Sequence, residues 1–310
     1  MAFYVVTGGA GFIGSHLVEG LLQRGDTVRV ADDFSSGLRA NVPPGVEVVE
    51  GDIADPAVAK KAIASADFVL HQAAIPSVAR SVADPPKSHR ANVDGTLQVL
   101  LAARDHKVKR VVMAGSSSEY GDAPTLPKHE AMPPAPKSPY ALQKLVGEEY
   151  CRLFTELYGL ETVSIRYFNV FGPRQQPNSP YSGVISLFIQ ALSAGTRPLI
   201  LGDGGQTRDF TYVANVVDGV LRASAAPRAS GQVINVATGG RISLLQLLQS
   251  LNRVMGTTAT PEFGAARVGD VRDSQAAIEK AKELLGYEPS VGFEEGLRRT
   301  VAWYRTAKVE

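Results

Sequence analysis

Short apolar runs alternate with longer segments of helical spacing through the first half of the chain. The runs Tyr4 to Thr7, Val28 to Ala31, Val46 to Val49, Phe68 to His71, Arg110 to Ala114 and Thr162 to Arg166 predict strands. Apolar residues recurring every three or four positions predict helices over Phe12 to Arg24 and Val93 to Ala103. Such alternation argues an α/β protein, a doubly wound parallel sheet covered on both faces. After Phe171-Gly172-Pro173-Arg174 the rhythm changes. A helical Val184 to Ser193 leads to an extended Pro198 to Gly202 and a turn at Gly202-Asp203-Gly204-Gly205. Val233 to Val236 reads as a strand returning to the sheet. Three further helical patterns follow, around Leu244 to Val254, Ala276 to Leu285 and Phe293 to Tyr304. The expected organisation is a larger unit, 1–168 plus about 208–240, and a smaller mixed α/β C-terminal unit, about 169–207 plus 241–310, with the chain crossing between them. The proline-rich stretch from Pro124 to Pro139 reads as a loop over the site.

Composition narrows this picture little. The chain has 310 residues, 44% of them hydrophobic and 20% charged, enough for a sizeable core. A net charge of +1 gives no global field to recruit nucleic acid or an anionic membrane. One cysteine, Cys151, excludes an internal disulfide framework and suits a reducing compartment. No secretory signature precedes Phe3-Tyr4-Val5-Val6, and no apolar run reaches the roughly 18 residues of a membrane span. The expected location is the cytoplasm. His16, His71, His89, His106 and His129 show no metal-ligand spacing, so no metal is expected.

Chemistry enters at Gly8-Gly9-Ala10-Gly11-Phe12-Ile13-Gly14. These glycines follow a predicted strand and open a predicted helix. Gly8 allows the tight turn, Gly11 lets the backbone approach a pyrophosphate, and Gly14 lets helix and strand pack closely. The helix N-terminus then offers free N–H groups to the anion. Asp32 closes the second strand, where a carboxylate accepts from adenosine ribose hydroxyls and repels a 2′-phosphate. The expected cofactor is therefore NAD, in a Rossmann-like domain.

Tyr140 and Lys144 stand four apart on a helix introduced by Ser138-Pro139 and share a face. A free phenol, with a pKa of about 10, is too weakly acidic to serve as a base near neutrality. One positive charge about 5 Å away, at an effective dielectric of 20, contributes roughly 3 kcal/mol, or about two pK units. Lys144 is thus expected to move the phenol most of the way, with an oxidised nicotinamide supplying the rest. Ser116-Ser117-Ser118 ends the fifth strand at the crevice edge where such sheets place their chemistry.

With these motifs the chain resembles the extended short-chain dehydrogenases/reductases of the nucleotide-sugar epimerase and dehydratase group. The likeness runs nearly end to end, through Thr7 to Gly14, Asp52-Ile53, His71-Gln72-Ala73-Ala74, Asn92, Ser116 with Tyr120-Gly121, Tyr140 with Lys144, Arg166-Tyr167-Phe168-Asn169, Thr207-Arg208-Asp209-Phe210 and Arg267-Val268-Gly269-Asp270. It is strongest to the 4-epimerases of UDP-hexoses, particularly those that accept N-acetylated sugars. The resemblance implies cofactor contacts from Phe12, Ile13, the turn Asp33-Phe34-Ser35-Ser36-Gly37 after Asp32, Asp52, Ile53, Gln72, Ala73, Ala74, Ile75, Asn92, Ser116, Tyr140, Lys144 and Phe168. It implies substrate contacts from Ser116, Ser117, Ser118, Tyr140, Asn169, Val184, Arg208, Arg267, Asp270 and Ser274. Tyr140 would take the 4-OH proton, helped by Ser116, while hydride from carbon 4 reaches NAD and later returns to the other face. The apolar stripes on Val93 to Ala103 and Leu142 to Leu157 read as core or, by the family's habit of pairing these helices across a two-fold axis, as a homodimer interface.

Two positions refine the resemblance. Dehydratases of the group carry an Asp-Glu pair where Ser117 and Ser118 stand, and decarboxylases a Glu at Ser118, so elimination and decarboxylation are disfavoured. Ser274 matches a position that is bulky in epimerases restricted to simple hexoses, so a small hydroxyl there leaves volume for a 2-N-acetyl group. Its alternative is that Ser274 or Asp273 caps a helix beginning near Ala276. The reading from a different class, a dinucleotide sensor that lost the chemistry, is disfavoured by the presence of Ser116, Tyr140 and Lys144.

Overall fold

The computed structural model describes residues 1–175, 183–265 and 271–306. Six strands follow in chain order: β1 (Phe3–Thr7), β2 (Thr27–Asp32), β3 (Glu47–Glu50), β4 (Phe68–His71), β5 (Arg110–Ser116) and β6 (Glu161–Tyr167). With a seventh strand, Gln232–Val236, they form one parallel sheet in the order seventh–β6–β5–β4–β1–β2–β3. The order reverses on either side of β1, which opens a crevice at the carboxyl ends of β1 and β4.

The helices are α1 (Phe12–Gln23), α2 (Pro56–Ile63), α3 (Val78–Ala83), α4 (Pro85–His89), α5 (Gly95–Asp105), α6 (Pro139–Tyr158), α7 (Val184–Ser193), α8 (Val213–Ala225), α9 (Leu244–Met255), α10 (Glu279–Leu285) and α11 (Phe293–Thr306). Alternate residues of each strand face opposite layers. Tyr4, Val6 and Val112 pack with Leu17, Leu21, Val216 and Val220 of α1 and α8. Val5, Val69 and Val111 pack with Ile63, Val99, Leu100 and Phe154 of α2, α5 and α6. Fully burying one such aliphatic side chain contributes roughly 1.5–3 kcal/mol. A third cluster, built from Phe188, Ile189, Leu247, Leu251 and Val301 of α7, α9 and α11 around Phe171 and Ile200, lies beyond the sheet.

Local chemistry sets the boundaries of α6. Ser138 accepts from Ala141 N at 3.2 Å, Pro139 occupies the first turn, and Gly159 closes the helix in the left-handed conformation at φ 67°. The pattern expected near Ala276 starts three residues late. Lys128 N donates to Gln275 O and Ala277 N to Lys128 O, so this stretch is held extended against the proline-rich loop, and α10 begins at Glu279. Neither Asp273 nor Ser274 caps it. Asp273 instead accepts from Thr207 N and Thr207 Oγ1, and Ser274 N donates to Thr207 O at 3.0 Å.

Candidate active site

The loop between β1 and α1 is shaped by what a side chain would hit. A Cβ at Gly14 would lie 2.1 Å from Gly8 O, and one at Gly8, whose φ is +67°, 2.7 Å from Ala73 N. The N-cap of α1 is Gly11, which offers no side-chain acceptor, so the N–H groups of Phe12, Ile13 and Gly14 point to the crevice without a capping partner. This is a cradle for an anion, walled by Ala73 and closed by no side chain. At the end of β2, Asp32 is nearly buried. Its two oxygens accept from Ala10 N and Phe34 N, each at 2.9 Å, which folds the turn through Gly37 around the carboxylate. Asp33 accepts from Ser35 N and Ser35 Oγ. Asp52 accepts from Ala54 N and from Arg90 Nε, beside the buried Ile53.

Across the crevice, Gln72 to Ile75 leave β4. Gln72 Oε1 accepts from Tyr167 OH at 3.0 Å, and its Nε2 is buried without a partner, a donor left for a ligand to satisfy. Asn92 accepts from Ile75 N at 2.8 Å and donates to Ile75 O and Gln143 Oε1, so it holds this segment to α6. His71 below is buried between Thr7 and Thr96. Thr96 Oγ1 donates to Asn92 O, which leaves it to accept from His71 Nε2, and Thr7 Oγ1 donates to Nδ1. Burial pulls this imidazole down to about 3, so it stays neutral.

Ser116, Tyr140 and Lys144 converge at the end of β5. Ser116 Oγ accepts from Ser118 Oγ at 2.8 Å and from Ser118 N at 3.2 Å, which leaves its own proton for the Tyr140 phenol, whose ionisation the Ser116 hydroxyl favours. Tyr140 N donates to Ser81 Oγ of α3 at 3.0 Å. Lys144 Nζ is buried and donates to Ala114 O at 2.9 Å. Burial raises the phenol to about 12, against the lowering by Ser116, and brings Lys144 down to about 8. The spacing alone assigns Lys144 most of the work of ionising Tyr140. In the structure burial works against charge on both groups, so a further positive charge is needed to complete the ionisation.

Phe168 is fully buried against Tyr120, ring centroids 6.1 Å apart. Asn169 takes φ +34° and donates to Asp209 O. Arg208 donates from one terminal nitrogen to Thr207 O and Arg272 O. Val184 opens α7. Arg267 and Asp270 lie outside the described residues.

Sequence reasoning missed the polar network beneath this site. Glu119, fully buried, accepts from Ser116 N at 2.8 Å and from Arg166 Nε at 3.0 Å, and Arg166 in turn donates to Glu148 at 2.7 Å and 3.0 Å. The Ser-x-x-Glu spacing of a capping box was the available signal for Glu119. Nothing in the sequence ties Arg166 to Glu148.

Residues 4–237 match the sequence model of the NAD dependent epimerase/dehydratase family. A UDP-glucose 4-epimerase of Mycolicibacterium smegmatis is 41% identical over 97% of this chain and 98% of its own length. A UDP-N-acetylglucosamine 4-epimerase structure from Methanobrevibacter ruminantium, in complex with UDP-N-acetylmuramic acid, superposes with a TM-score of 0.95 at 38% identity, covering 98% of both chains. A UDP-glucose 4-epimerase of Thermus thermophilus, in complex with NAD, gives 0.92 at 37% identity, covering 98% of this chain and 99% of that one. Relatives named as a UDP-glucuronate 4-epimerase and a UDP-N-acetyl-alpha-D-glucosaminuronate decarboxylase also match.

Proposed function

The chain belongs to the NAD dependent epimerase/dehydratase family, and from that premise we propose that it is a 4-epimerase of UDP-hexoses, acting on UDP-glucose/UDP-galactose and their N-acetylated counterparts. The observation that carries this reading is the turn after β5. Serines occupy 116 to 118, and the turn's one carboxylate, Glu119, is buried and bound to Ser116 N and Arg166. The turn therefore presents a hydroxyl toward Tyr140 and no acid for expelling a 6-hydroxyl or assisting loss of a carboxylate.

The glycine cradle and the unpartnered Gln72 Nε2 fit a dinucleotide. Gly8 and Gly11 to Gly14 would hold its pyrophosphate, Asp32 and the turn to Gly37 its ribose, Asp52 and Ile53 its adenine, and Gln72 to Ile75, Lys144 and Phe168 its nicotinamide half. When bound, NAD supplies the hydride acceptor at carbon 4 and a cationic ring that favours the phenolate. Tyr140 removes the 4-OH proton and returns it to the 4-keto sugar from which the opposite epimer forms. Ser116 holds the same oxygen with its free proton, and Lys144 keeps cationic character beside the pair. Asn92 acts at one remove, through Ile75 and Gln143. Arg208 and Arg267 suit the diphosphate, which rewards charge-assisted forks, with Asn169, Val184 and Asp270 completing the nucleotide site.

Purified protein incubated with UDP-glucose, UDP-N-acetylglucosamine and UDP-glucuronate, without added NAD, tests the proposal. Gluco-to-galacto conversion of the first two is expected. Release of water or carbon dioxide, or no turnover at all, would overturn it. Ser274 is the residue we assign to tolerance of the N-acetyl group. Ser274→Tyr should abolish turnover of N-acetylated sugars alone, and equal loss on both classes removes Ser274 from that role. The same reading makes the cytoplasmic enzyme a homodimer through the face of α5 and α6.

A further inference from the structure

Glu119 is buried at a cost that capping alone does not require. A glutamine at the same place satisfies the Ser116 N–H as well and carries no charge to desolvate. Three features set this carboxyl apart from an ordinary cap. One oxygen accepts from Ser116 N at 2.8 Å, at the residue whose hydroxyl meets the Tyr140 phenol. The other accepts from Arg166 Nε at 3.0 Å, and the same guanidinium binds Glu148 and stacks 4.5 Å over the Tyr120 ring. Its charge also reaches both members of the proton-transfer pair, favouring the Lys144 ammonium and opposing the Tyr140 phenolate.

We propose that Glu119 is a positioning residue for proton transfer at Tyr140: by anchoring Ser116 N to the Arg166–Glu148 pair it fixes Ser116 Oγ against the phenol. The inference rests on the epimerase reading. Ser116 sits at the junction of β5 with a single 3-10 turn, Ser117–Tyr120, where only local bonds decide how the hydroxyl points. Glu119 ties that junction to β6 through Arg166 and to α6 through Glu148, and α6 is the helix that carries Tyr140 and Lys144. Base and helper are thereby referenced to one rigid frame. Burial and then the facing Glu148 push the Glu119 carboxyl well above the usual range, against the lowering by Arg166 and by the Ser116 N–H.

The groups facing Glu119 are Tyr140, Lys144 and Glu148 of α6 and Arg166 of β6, whose guanidinium also meets Tyr120 of the same turn. Lys280 of α10 and Glu130 of the proline-rich loop act on the same network from behind.

The experiment compares wild type, Glu119→Leu and Glu119→Gln by kcat, KM for UDP-glucose, bound NAD and thermal melting. Glu119→Leu should lower kcat roughly tenfold to a hundredfold by misplacing Ser116, with KM and bound NAD within about twofold. Glu119→Gln keeps an acceptor for Ser116 N–H and should recover kcat to within about threefold of wild type. Recovery by glutamine with KM unchanged separates a positioning role from a merely structural one, which both replacements would disturb alike. If the leucine variant fails to fold, the glutamine variant decides: kcat within about threefold of wild type is expected, and a folded glutamine variant slowed by more than about tenfold overturns the proposal. A folded leucine variant with unchanged kcat, a loss confined to KM or bound NAD, or a glutamine variant no better than leucine would each overturn the proposal. A wild type that turns over no UDP-sugar rejects the epimerase reading and this inference together. An active wild type with an unaffected leucine variant rejects this inference alone.

Discussion

Tyr140 on its own is a poor base, and the residues around it explain why the site needs several parts. Burial raises the phenol to about 12, and of its neighbours Ser116 lowers it while Glu119 raises it. Removing the phenol oxygen should therefore end the chemistry and spare the scaffold. Tyr140→Phe is expected to lower kcat roughly a hundredfold or more, with bound NAD and melting temperature unchanged, read from progress curves and the cofactor content of the purified protein. Lys144 gives a signed prediction. On the proposed mechanism activity requires the phenolate, so the rate should climb along an acid limb as Tyr140 loses its proton. An ammonium at 144 lowers the cost of that charge, and Lys144→Met removes it. The acid limb should move to higher pH by about one to two units. A limb that stays put would show that Lys144 serves only through its bond to Ala114 O and through cofactor binding. Tyr140, Lys144 and Ser116 stand out in the sequence because two are one helical turn apart and the third ends a strand. Glu119, Arg166 and Glu148 do not, because partners separated by 47 and 18 positions meet only once β5, β6 and α6 are packed.

Elements were legible where one rule dominated. Phe68–His71 and Val184–Ser193 follow their apolar patterns residue for residue, β3 lies one residue later than its run, and the other sheet strands extend one or two residues beyond theirs. Strand ends run past the apolar run because ladder bonds continue through polar residues, as at Gly115 and Ser116, which pair with Arg166 and Tyr167. Helix α8 was hidden. Its stretch Val213-Ala214-Asn215-Val216-Val217 is rich in β-branched residues, and packing against α1, where Gly20 meets Val217, overrides that preference. The start of α10 was misplaced because pairing of Ala276 with Lys128 is a long-range event no local pattern announces. The loop from β1 to α1 is the opposite case, fixed by hard sterics. Gly14→Ala puts a methyl 2.1 Å from Gly8 O, and the backbone cannot yield without opening the cradle. The variant should lose bound NAD and melt at lower temperature. Full cofactor occupancy in a stable Gly14→Ala protein would contradict the assigned role of this turn.

At the scale of the whole molecule, the helix that carries Tyr140 and Lys144 also carries exposed apolar surface. Leu142 lies between Tyr140 and Lys144 in sequence, is 51% exposed, and forms a shallow apolar hollow with Pro85, Pro86, Val93, Pro139 and Val146. Val78 and Val82 of α3 are also exposed, and α3 supplies the Ser81 hydroxyl that accepts from Tyr140 N. An apolar face over the N-terminal turn of α6 is what a second copy of the chain would cover, and covering it would stiffen the turn that aims the phenol. A dimer formed there would be linked to the proposed active site through one helix. Wild type should elute with twice the chain mass in light scattering, and Leu142→Arg, which places a charge in the hollow, should shift it to one chain mass. Because α6 would lose its cover, the specific activity of Leu142→Arg should fall on dilution and recover at higher protein concentration, while wild type holds constant over the same range. A wild type that is monomeric and fully active at micromolar concentration would detach this surface from catalysis and leave it to another partner.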